Sequence, residues 1–265
     1  MPSTTRLVRN RPSFLFCFES QSKLKTVKTV KMEQIKIEKL TMENFEAVFD
    51  FMMSEFVPDE PLMRATDAYA GDGFAEKTLK AEVREKFTKK PLESGDSFGA
   101  FDNDGKLLGV RLGFISDKQN LPWEPSLTWM LRLPTFLFSK KFLKILQVSK
   151  FVEDIGYSDI NGFDQCCDNN GKIYFCKVLG VSKEGRGKGL GSRMLDRSIV
   201  YAKEQGCSHM YVMATGKASQ KIMSNHGFYV IKEKDYESFK DKEGNVVIKH
   251  DVHTSAQVVA LKLSE

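Results

Sequence analysis

The sequence predicts an α/β protein of the α+β kind, built on one mixed sheet with helices on its faces. Two observations lead there. From residue 173 onward, apolar runs of strand length alternate with runs of helical spacing in the order strand, helix, strand, helix, and further strands follow. Upstream, two period-two segments flank Asn103-Asp104-Gly105, the turn chemistry of a tight hairpin. At 265 residues, 41% hydrophobic and 28% charged, the chain has the apolar surface to fill such a core.

The elements follow in order. Gln34 to Leu40 alternates apolar and charged residues, as a strand at the start of a sheet does. Thr41 caps a helix whose apolar positions Phe45, Val48, Phe49, Met52, Met53 and Phe56 recur at helical spacing, and Pro58 ends it. A second amphipathic helix runs from Phe74 to Thr88, before Pro91. Ser97 to Phe101 and Leu107 to Ile115 form the hairpin. Residues 121–171 are irregular, with Pro122, Pro125 and Pro134 among aromatic residues, except for a surface helix near Phe138 to Val152. Its apolar run is too short to cross a bilayer. Then come strand Ile173 to Val181, helix Leu190 to Gln205, strand His209 to Ala214, helix Ala218 to Asn225, and strands Phe228 to Lys234 and Gln257 to Leu263.

Charge divides the chain more sharply than its total of +5 suggests. Residues 1–31 hold seven Lys or Arg against Glu19 alone, a net of +6. From chain totals of 40 basic and 35 acidic residues, this leaves 33 against 34 for residues 32–265, so the body lacks the basic excess that a polyanion partner needs and nucleic acid is excluded as its ligand. Residues 1–31 have the composition of a mitochondrial-type transit peptide, but read first as a disordered tail or an upstream extension ahead of a domain that opens at Met32. The protein is accordingly expected in the cytoplasm, or in mitochondria if residues 1–31 are a transit peptide, away from any membrane and as a monomer or weak dimer.

Five cysteines (Cys17, Cys166, Cys167, Cys176, Cys207) show no metal-ligand spacing and read as free thiols of a reducing compartment. His209, His226, His250 and His253 are spaced for neither zinc nor a triad. No metal is expected.

The stretch Gly185-Arg186-Gly187-Lys188-Gly189-Leu190-Gly191 carries the chemistry. It joins a strand to a helix, where the first backbone amides have no helical partner and the positive end of the helix dipole faces outward, a geometry that binds phosphate. Glycines let phosphate oxygens reach the main chain. The loop is no P-loop, since no hydroxyl follows Lys188, and no dinucleotide fingerprint, since position 192 is Ser.

Arg186-x-x-Gly189-x-Gly191 resembles the pyrophosphate loop of the GNAT superfamily of acyl-CoA N-acyltransferases, in register from Leu179 to Gly191 and followed by Met210 to Ala214, Ala218 to Asn225 and Gly227-Phe228 at that family's places. The resemblance implies a single GNAT fold over residues 32–265, a mostly antiparallel sheet splayed between two central parallel strands. It further implies acetyl-CoA as co-substrate, held by Leu179, Val181, Arg186, Gly187, Lys188, Gly189, Leu190, Gly191 and Ser192. Two positions depart from the family: Lys183, where Pro is frequent, and Gly185, where an aromatic residue is frequent; both are expected to loosen the start of the loop.

Phe56-Val57-Pro58-Asp59-Glu60-Pro61-Leu62 resembles the Asp-Glu-Pro-Leu signature of the insect-type arylalkylamine N-acetyltransferases. That resemblance implies a small primary amine as acceptor, such as dopamine, serotonin or tryptamine, and Glu60 as general base. It also implies hydroxyl assistance from Thr215 and Ser219. A base is needed because an alkylammonium, with a pKa of about 10.4, must lose a proton before it attacks a thioester. The tyrosine that protonates the departing thiolate in many GNAT enzymes is Met223 here, which leaves water or Ser219. Trp123, Trp129 and Phe136 are candidate walls of an aromatic pocket. A polyamine, amino-acid or protein-lysine acceptor, and a non-catalytic acyl-CoA binding module, remain open at this point.

Overall fold

A computed structural model describes residues 35–71, 73–117, 130, 133, 137–155 and 171–263. Seven strands form one sheet: β1 (Lys36–Leu40), β2 (Ser97–Phe101), β3 (Leu107–Ser116), β4 (Lys172–Val181), β5 (Cys207–Ala214), β6 (Tyr229–Asp235) and β7 (Ser255–Lys262), in the order β1-β2-β3-β4-β5-β7-β6. Only β4 and β5 pair in parallel, so the mixed, mostly antiparallel sheet expected from the sequence is present.

The first helical stretch is one unit. Thr41 caps it, its hydroxyl accepting from the Glu43 amide at 3.3 Å while Asn44 Oδ1 accepts from the Thr41 amide at 2.9 Å. A 3-10 turn (Met42–Asn44) leads into α1 (Phe45–Phe51), which widens into a π turn over Met52–Phe56. A short helix, α2 (Pro61–Ala65), follows, which the sequence reading missed. Next, α3 (Phe74–Glu82) passes through a π turn (Val83–Lys89) into a last α turn, Lys90–Glu93. The expected stop before Pro91 is therefore overrun. Pro91 is taken into that last turn, directly after the π turn.

The remaining helices among the described residues are α4 (Lys140–Ile155), α5 (Leu190–Glu204) and α6 (Lys217–Asn225). In the β2–β3 hairpin, Asp102 fixes the turn by accepting from the Asp104 and Lys106 amides at 3.0 and 2.9 Å, and Gly105 takes φ +80°. Trp123, Trp129, Phe136, Cys17, Cys166 and Cys167 lie outside the described residues.

Helices cover both faces. On one, α1 and α3 bury Val48, Phe49, Met52, Leu79 and Val83 against Val110, Leu112 and Val178, while Leu62 of α2 and Phe151 of α4 meet Phe175, Tyr211 and Val258. On the other, Leu195 of α5 and Met223 of α6 pack on Tyr174, Cys176, Val212 and Val259, with Leu190 and Met194 against Leu108. At roughly 25 cal/mol per Å² these layers supply the main stabilisation.

The central strands part midway. The β4–β5 ladder ends at Cys176–Val212, although β4 runs on to Val181 and β5 to Ala214. At that point the β3–β4 register slips, Leu112 facing Val178 and Gly113 facing Cys176, so Lys177 is an extra residue. Such a bulge bends its strand, and it bends β4 where β4 leaves β5.

Candidate active site

The gap between the parted strands is bounded by the glycine loop at the end of β4 and by the β5–α6 turn. Gly187 and Gly189 adopt φ of +76° and +70°, and a Cβ on either would meet nothing within 4 Å. Both glycines therefore serve backbone conformation and leave open space at the amino end of α5, where the amides of Leu190, Gly191 and Ser192 have no helical acceptor. The residues fit the pyrophosphate of CoA, which needs an open cradle of this kind. Gly191 is different: a Cβ there would stand 3.0 Å from Ile222, so its bareness lets α5 and α6 approach.

Gly185 overturns the expectation of a looser loop start. It is buried, its amide donates to the Ser182 carbonyl and hydroxyl at 3.0 and 3.1 Å, and a Cβ would lie 2.9 Å from the Leu108 carbonyl. The position has no room for a larger residue. Lys183, the other departure, donates its amide to Glu55 at 2.9 Å, and the Glu184 and Lys106 side chains pair, so the loop start is tied at three points.

Arg186 reaches the segment that precedes α2. Its Nη2 pairs with Asp59 at 2.8 Å and its Nε lies 3.4 Å from the Val181 carbonyl. The loop is thus joined to the Asp59-Glu60 segment. Both partners are about half exposed, 46% and 55%, so the pair holds geometry more than stability.

Glu60 occupies the N-cap of α2. Its backbone is extended (φ −74°, ψ 126°), Oε2 accepts from the Met63 amide at 2.6 Å, and Pro61 begins the helix behind it. Burial pushes its carboxyl above the usual carboxylate range, against hydrogen bonds from the Thr215 side chain and from the Met63 and Leu62 amides. A raised pKa suits a group that must take a proton near neutrality.

Thr215 follows β5 directly, and its side chain meets Glu60 while its carbonyl accepts from the Tyr236 hydroxyl at 2.5 Å. Ser219 lies one turn into α6 with its hydroxyl on the Gly216 carbonyl at 2.8 Å, and it accepts from the Gly216 amide at 3.3 Å. It closes the helix start and makes no described contact with Glu60. Met223 is core, 1% exposed.

Sequence reasoning missed two neighbours. His253 packs over Gly216, accepts from the Lys217 amide through Nδ1 at 3.2 Å, and lies tilted against His250 with ring centres 4.3 Å apart. Burial, aided by His250, lowers its pKa. Tyr236 is the other. Both lie on the β6–β7 connection, and no local pattern tied either to Thr215.

Among the described residues no group of three His, Cys, Asp or Glu side chains is placed to hold a metal. No helix among them is long and apolar enough to cross a membrane. Fold and loop together define the class: the chain carries a GNAT-type domain and is an acyl-CoA N-acyltransferase.

Residues 149–228, from α4 to the start of β6, match the model of the acetyltransferase (GNAT) family. Arylalkylamine N-acetyltransferase 2 from Aedes aegypti superposes with a TM-score of 0.71 over 87% of this chain and 100% of its own, at 25% identity. The polyamine N-acetyltransferase of Drosophila melanogaster, which forms N-acetylagmatine, gives 0.62 over 86% and 100%, at 19% identity. A putative arylalkylamine N-acetyltransferase 7 from the same mosquito gives 0.65 over 87% and 88%, at 18%. The last two share the fold; the first adds a sequence likeness over nearly the whole chain.

Proposed function

We propose that the protein transfers the acetyl group of acetyl-CoA directly to the primary amine of a small arylalkylamine of the dopamine, serotonin or tryptamine type. The observation that carries this reading is the meeting of Glu60, at the start of α2, with Thr215, at the end of β5 where it has parted from β4. The likeness to the arylalkylamine N-acetyltransferase 2 of Aedes aegypti supports the acceptor class.

Leu179, Val181 and the segment Arg186 to Ser192 hold the co-substrate, the loop amides on its pyrophosphate and the β4 edge along its pantetheine arm. Bound there, the thioester supplies an activated acetyl carbon. Glu60 takes the ammonium proton, directly or through one water, and the neutral nitrogen attacks that carbon. As the new C–N bond forms the C–S bond breaks and the thiolate leaves with the electron pair; the second proton, shed by the new amide nitrogen, passes through water to the thiolate, and Glu60 returns the first to solvent. Thr215 hydrogen-bonds the Glu60 carboxylate and keeps it aimed. Ser219 contributes by shaping the α6 start, and its hydroxyl reaches the thiolate only by leaving Gly216.

Residues 32–265 act as one catalytic domain in the cytoplasm, with residues 1–31 outside the chemistry. The test is release of free CoA thiol from acetyl-CoA across a panel of aromatic amines, agmatine, polyamines and lysine peptides. We expect aromatic ethylamines to give the highest kcat/KM. A maximum for polyamines or peptides would overturn the acceptor class, and CoA binding without amine-dependent thiol release would overturn the transferase reading.

A further inference from the structure

Tyr236 closes the far side of the Glu60 site. It is 1% exposed, and its ring packs against Phe151 of α4 at 5.5 Å between centroids. Its amide donates to the Thr254 carbonyl at 2.9 Å, so the backbone is pinned as well as the ring. One polar atom remains, and its hydroxyl donates to the Thr215 carbonyl at 2.5 Å.

That bond joins the end of β6 to the end of β5, and the Thr215 side chain, hydrogen-bonded to Glu60, brings in the α2 cap as a third segment. The turn after β5 is otherwise held by Gln220, whose side chain spans the Ala214 and Ser255 carbonyls at 3.3 and 2.8 Å. Gln220 thus fixes the residue before Thr215, and Tyr236 fixes Thr215 itself.

Resting on the reading of Glu60 as base, we propose that Tyr236 is a positioning residue: by clamping the Thr215 backbone it keeps the Thr215 hydroxyl on the Glu60 carboxylate. The group is suited to this and to no proton transfer of its own. Burial and the neighbouring Glu60 push the phenol well above its ordinary range, so it stays a neutral donor throughout the working pH.

The sign of the effect follows. The Thr215 hydrogen bond favours the ionised carboxylate. Losing the clamp loosens that bond, and Glu60 then needs a higher pH to become a base.

The experiment measures kcat/KM against pH for the full chain, with acetyl-CoA and the best aromatic amine, in Tyr236→Phe, Thr215→Val and the double variant. Tyr236→Phe is expected to lose about five- to ten-fold at neutral pH, the worth of one hydrogen bond. Its acid limb moves to higher pH, and the KM for acetyl-CoA stays unchanged. Thr215→Val shifts the limb the same way, Thr215→Ser restores it, and adding Tyr236→Phe to Thr215→Val costs little more. A carbon-13 titration of the Glu60 carboxyl in Tyr236→Phe gives the same shift without relying on turnover. An unmoved acid limb and carboxyl titration, or fully additive losses, would leave Tyr236 with packing alone and overturn the proposal. Wild-type turnover in Glu60→Gln would instead remove the base assignment on which it rests.

Discussion

Glu60 is costly to the fold in the state that makes it useful. Its folded pKa lies above the unfolded value, so the folded protein holds that proton more tightly, and stability falls as pH rises from the ordinary carboxyl range through the raised one. Glu60→Gln should therefore raise Tm at neutral pH, and the gain should vanish in acid, where both states carry the proton. The same variant should lose at least about a hundred-fold in kcat, the scale of general-base catalysis. Calorimetric scans at two pH values and a thiol-release assay read the two effects separately. Asp59→Asn tests the neighbouring residue. Freed of its exposed partner, Arg186 no longer has to leave Asp59 to meet a phosphate, so CoA should bind about two- to five-fold tighter by titration calorimetry, with Tm nearly unchanged. Asp59 and Glu60 are adjacent carboxylates, and in the sequence only the resemblance to a known signature sets Glu60 apart. What separates them is what they face, Arg186 for one and Thr215 for the other, and both partners lie more than a hundred residues away.

Among the elements, the glycine loop shows how one composition serves unlike ends. Gly189→Ala forces a side chain into a left-handed backbone, at about 1–2 kcal/mol, and puts a methyl group in the cradle. CoA affinity should fall more than ten-fold while Tm drops slightly. Gly185→Ala has ordinary φ but nowhere to put its methyl, so thermal scans should show the larger stability loss. The motif spacing made Gly189 legible, because an opening for phosphate is a local property. Gly185 was misread, since its neighbour Leu108 comes from another strand. The five-residue α2 escaped because periodicity needs longer windows, yet an acidic cap before Pro61 was its available signature. The π turns after α1 and α3 left no trace that helical spacing could register.

At the scale of the whole molecule, the strand and helix sequence from β4 to β7 was readable with boundaries within two residues, whereas the order in which the strands lie side by side was not. Order depends on pairings made far along the chain. One polar knot helps to hold it: Asp96 accepts from Tyr201 of α5 at 2.7 Å and from the Ile115 amide of β3 at 3.0 Å, and its carbonyl accepts from Tyr174 of β4 at 2.5 Å. Asp96→Ala strands a buried phenol and a backbone amide, and should cost about 2–4 kcal/mol in urea unfolding. The position of β7 matters in another way. It lies between β5 and β6, yet it is made after both, so a growing chain exposes one edge of β5 and leaves β6 with no strand partner until residue 262 has left the ribosome. Tyr229 and Val230, open to solvent even in the finished fold, are the residues a chaperone would meet during that interval.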